Sequence, residues 1–113
     1  MTLAEVTLDD YDIGTTGTDV LAEEIRIIVD GRQRSIGTGT VLASEGRVFE
    51  SVPKNRRHFQ FEGFHPVTNT LGELSWVACL TTTGVDGPRY AHLSEIVDAV
   101  SEGAMELKEA EST

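Results

Sequence analysis

The sequence predicts an α+β fold: a mostly antiparallel, curved meander sheet of about six strands with one C-terminal helix packed on a face. Three features carry this expectation. Leu71 to Thr83, LGELSWVACLTTT, is the most apolar stretch and holds the only Trp and the only Cys. Leu74, Trp76, Ala78 and Leu80 alternate on one face, and Val77 and Cys79 make the other face apolar too, as in a strand covered on both sides. Short alternating runs punctuated by Gly and Asp precede it, and a run with helical period follows it.

Taken in order, EVTLDDYDI at 5–13 reads as a first strand, closed by the turn-rich GTTGT at 14–18. Residues 19–29 fit two periods, but the β-branched Ile27-Ile28-Val29 followed by Asp30-Gly31 favours a strand. Asp-Gly is the dipeptide of a two-residue hairpin turn, which pairs 24–29 with 32–37. A second hairpin is expected between 39–43 and 47–52, turning at Ser44-Glu45-Gly46. In HFQFEGF, Phe59 and Phe61 alternate as core residues of a strand.

GFHPVTNTLG at 63–72 reads as a loop delivering the chain into the 71–83 strand. Gly84 to Arg89 reads as a turn that starts a helix, with Pro88 at its first position. From Tyr90 the period is helical: Leu93, Ile96, Val97 and Val100 oppose Glu95, Asp98 and Glu102, and Gly103 is a stop. Trp76 is expected beneath this helix. Residues 1–104 thus make a single domain, and 105–113 a polar C-terminal tail.

A chain of 113 residues with 39% hydrophobic and 25% charged composition suits one globular unit. No apolar run reaches the roughly 18 residues needed to span a bilayer, and the opening MTLAEVTLDD lacks the pattern of a signal peptide. The expectation is a cytoplasmic protein without membrane association. The net charge of −10 is unevenly spread. Residues 1–30 carry eight acids against Arg26, and 59–113 carry nine against Arg89 and Lys108, so each segment nets −7. Residues 31–58 hold six bases against Glu45 and Glu50, a local +4. The same acidity would also follow from general adaptation to a saline cytoplasm.

Signals for chemistry are weak. His58, His65 and His92 share no metal-ligand spacing, and the acids at Asp10 and Asp12 lack the remaining ligands of a calcium loop, so no metal and no cofactor is expected. The Gly37-Thr38-Gly39-Thr40 run is not followed by a helix, which makes it a bulge or turn rather than a phosphate cradle. Cys79 reads as a buried thiol, and no serine has a nucleophile context.

Charge therefore ranks the functions. The leading expectation is a non-enzymatic, acidic protein-interaction module, such as an inhibitor or nucleic-acid mimic of the phage or mobile-element type, directed at a basic partner protein. Asp9, Asp10, Asp12, Glu23 and Glu24 are the candidate partner-binding residues, because they crowd a segment with one base. Charge disfavours nucleic acid as a ligand, yet Lys54, Arg56, Arg57 and His58 beside Phe59 and Phe61 form a possible nucleic-acid patch. A third class is a small-molecule enzyme or carrier using His65 and Arg57; no residue is assigned a catalytic role.

Overall fold

The computed structural model describes residues 3–6, 23–44, 46–53, 58–68 and 71–108, and it is an α+β fold with one helix packed on antiparallel sheet. Among the described residues seven strands form two sheets. β1 (Glu24–Val29) and β2 (Arg32–Gly37) make a hairpin. β3 (Val41–Ser44), β4 (His58–Thr68), β5 (Leu74–Thr81), β6 (Arg89–His92) and β7 (Met105–Lys108) form a five-stranded sheet in the order β6-β5-β4-β3-β7. α1 (Leu93–Ser101) leaves β6 at one edge and delivers the chain to β7 at the other.

The hairpin matches the sequence expectation in register. Val29 pairs with Arg32 across Asp30 and Gly31, whose φ values of 52° and 77° are those the two-residue turn demands. Beyond it, Gly37 to Thr40 bends the chain from one sheet into the next. The Gly37 amide donates to Thr40 Oγ1, Thr38 to Glu23 O, Gly39 to Phe61 O and Thr40 to Gly37 O. All four amides are thus used by the protein itself, as a turn requires and a phosphate cradle does not.

The expected 39–43/47–52 hairpin does not form. β3 already has both edges occupied, by β4 and by β7, so residues 47–52 have no strand to join there. They turn instead and drive Val48, Phe49 and Val52 into the core, with Leu3 N donating to Val48 O. The expected 63–72 loop is also corrected, since β4 runs unbroken to Thr68 with a bulge at Glu62. Pro66 is tolerated because β3 and Thr40 engage β4 only as far as Phe61.

Two corrections concern the C-terminal part. Residues 89–92 are strand rather than first helical turn: β5 offers an edge from Val77 to Leu80, and pairing there outweighs local helical period. The supposed polar tail begins with β7, whose Met105 and Leu107 are buried while Glu106 and Lys108 are exposed. The Gly103 stop is as expected. Gly103, at φ 81°, donates to Val100 O and Ala104 to Ala99 O, the pair of bonds that closes a helix on a left-handed residue.

One face of the five-stranded sheet, α1 and the hairpin enclose the core. Phe61, Phe64, Ala78 and Leu80 from the sheet meet Ile27, Val29 and Ile36 from the hairpin and Leu93, Ile96 and Ala99 from α1. Phe59 packs edge-on to Phe49 at 5.6 Å, and Phe61 stacks on Phe64 at 5.6 Å. Of the first expected strand only residues 5 and 6 are described, with Glu5 bridging to Ala91, and residues 7–18 lie outside the described residues.

Candidate functional site

Of the acids singled out from sequence, Glu23 and Glu24 are exposed where the chain enters β1, and Asp9, Asp10 and Asp12 lie outside the described residues. The structure draws attention to a different set. Because Leu93, Ile96 and Ala99 turn inward, α1 presents Ser94, Asp98 and Ser101 outward, followed by exposed Glu102 at its C-cap. No Lys or Arg occurs in this helix. Asp98 and Glu102, like Glu23 and Glu24, enter no ion pair among the described residues.

Other acids are engaged in holding the chain together. Glu95 Oε2 accepts from Ala4 N at 3.1 Å, and Glu5 Oε2 accepts from Ser51 Oγ at 3.2 Å. Glu5 Oε1 lies 3.5 Å from Arg89 Nε, within ion-pair range but not aligned for a hydrogen bond. Together these contacts fasten residues 3–6 to β6, α1 and the 46–53 turn.

At the first turn of α1 the apolar face is incompletely closed. Ser75 and Trp76 of β5, with Leu93, Ser94, Val97 and Asp98 of α1, line a groove of about 310 Å³. Trp76 packs against the core but is only partly buried, a correction to its expected full burial beneath the helix.

The basic alternative is only partly on view. Lys54, Arg56 and Arg57 lie outside the described residues, and His58 is exposed at the start of β4. Phe59 and Phe61 are buried in the core, as their alternation implied, so neither offers a ring for base stacking. A polar cleft of about 350 Å³ lies here, lined by Val41, His58, Gln60 and Thr81 to Thr83 among others. Its hydroxyls are partly committed: Thr82 Oγ1 donates to His58 O and Thr81 Oγ1 to Glu62 Oε1, both at 2.7 Å.

His65 is on β4 and not in a loop. Register places His65, Val77 and His92 in one row across three strands, with Gly63, Cys79 and Tyr90 in the next. The His65 and Tyr90 rings meet edge-on at 5.9 Å. Burial lowers the His65 pKa, and burial raises that of Cys79, opposed by its hydrogen bond with Tyr90 and reinforced by the Glu62 charge. Tyr90 is raised by burial and by its thiol neighbour. His65 and His58 are seven residues apart on one strand, roughly 20 Å, so the structure does not bring them together. Among the described residues no three His, Cys, Asp or Glu side chains are grouped to hold a metal. No described helix is long and apolar enough to cross a membrane.

Comparison with family models, curated proteins and solved structures returns no match.

Proposed function

We propose that the chain is a non-enzymatic, acidic interaction module that captures a basic partner protein. The observation that carries this reading is the outer face of α1, where Asp98 and Glu102 stand exposed, with no ion-pair partner among the described residues and no base on the helix. Charges that are not spent inside the molecule remain available to a surface of opposite sign. Glu23 and Glu24, exposed at the start of β1 and likewise without an ion pair among the described residues, extend the same sign of charge, and Asp9, Asp10 and Asp12 belong to the same acidic N-terminal segment in sequence. One version of the partner is a nucleic-acid-binding protein whose phosphate groove accepts spaced carboxylates in place of phosphates.

The test is affinity capture from the source cell's lysate on immobilised wild-type protein, beside a variant carrying Asp98→Lys and Glu102→Lys. A basic protein retained by the wild type at low salt, released as salt rises and missed by the variant, is the expected result. Identical retention by both proteins, or retention indifferent to salt, would reject the reading.

A further inference from the structure

We propose that the groove at the first turn of α1 receives a cationic side chain of the partner, a guanidinium in preference to an ammonium; this rests on the acidic-module reading and names its point of contact. Trp76 supplies an indole whose face attracts cations, and Asp98 supplies a carboxylate at the same cavity. Leu93 and Val97 provide apolar surface for the methylene stem of a long basic residue, and Ser94 and Ser75 add hydroxyls that accept hydrogen bonds.

Each other ligand class meets an obstacle in the same residues. An uncharged apolar group would use Trp76, Leu93 and Val97 but leave the Asp98 carboxylate beside it unpaired. An anion would meet Asp98 on a helix that has no Lys or Arg. At about 310 Å³ the groove is at the lower limit of the roughly 300–1,000 Å³ of small-molecule pockets, a size better matched to one side chain than to a whole ligand. A planar guanidinium stacks on an indole while pairing with a carboxylate, whereas a compact, strongly hydrated ammonium does only the second well.

Trp76 is the only Trp in the chain, so its emission reports on the groove directly. The probe is a blocked arginine-rich peptide, compared with its lysine and citrulline counterparts at about 20 mM salt, where exposed charges are weakly screened. The arginine peptide should change Trp76 fluorescence and shift the amide resonances of Ser94, Val97 and Asp98. Asp98→Asn should weaken it about three- to tenfold. Trp76→Leu, followed by amide shifts alone, should erase the preference for arginine over lysine, and the citrulline peptide should not bind.

If the arginine peptide binds with amide shifts confined to other acidic residues, and Asp98→Asn binds it equally well, the groove proposal is overturned while the acidic-module reading stands. If it binds nowhere on the folded protein at low salt, both fall.

Discussion

His65 shows how a residue's neighbours decide its charge. It faces the Tyr90 ring and shares its side of the sheet with Cys79 and His92, and burial lowers its pKa below the ordinary value. The unfolded chain therefore binds a proton at this imidazole more readily than the folded one. Its contribution to stability is present above the unfolded pKa of about 6.5 and is lost as pH falls below it. Thermal melts of the wild type and His65→Gln should diverge between about pH 7.5 and 5.5, with the wild type losing more. Parallel curves would show that His65 titrates as it does in the unfolded chain. Sequence alone placed His65 in a loop because His-Pro followed by Thr and Asn resembles a turn. The long-range pairing of β4 with β5, which cannot be read from local pattern, decides otherwise.

At the scale of elements, the hairpin and β7 illustrate two degrees of legibility. Asp30-Gly31 encodes its turn chemically, so its register could be written down from the residues. Gly31 has open space around it but a φ of 77°, and Gly31→Ala should cost about 1–2 kcal/mol through backbone strain alone, measured by urea unfolding. A neutral result would mean that the turn relaxes to another type. β7, in contrast, alternates over only four residues, MELK, too few to stand out from a polar tail. What makes it a strand is the free edge of β3, to which α1 carries the chain across the sheet. Leu107→Ala should destabilise by about 2–4 kcal/mol, while Glu106→Ala next to it should stay within about 0.5 kcal/mol. Equal small effects at both positions would argue that β7 is not part of the cooperative unit.

For the molecule as a whole, fold class was readable because the strand and helix periods are strong where side chains are buried, as at Phe59, Phe61, Leu93, Ile96 and Ala99. The 47–52 segment and β6 were misread because each depends on which sheet edge is free, a property of the assembled fold. The candidate site was legible only in part. Acidity is a property of composition, but the arrangement of Asp98 beside a partly buried Trp76 required the placement of α1 on β5. In the proposed function the exposed acids act together on a basic partner. The most direct measurement is the association rate with the captured partner, for the wild type and a variant carrying Glu23→Gln, Glu24→Gln, Asp98→Asn and Glu102→Gln, between about 20 and 150 mM salt. If the acids steer the partner, the wild type associates at least about tenfold faster at the lower salt, and most of this advantage vanishes both in the variant and as the Debye length contracts towards about 8 Å. A folded variant that associates at the wild-type rate at about 20 mM salt would contradict it.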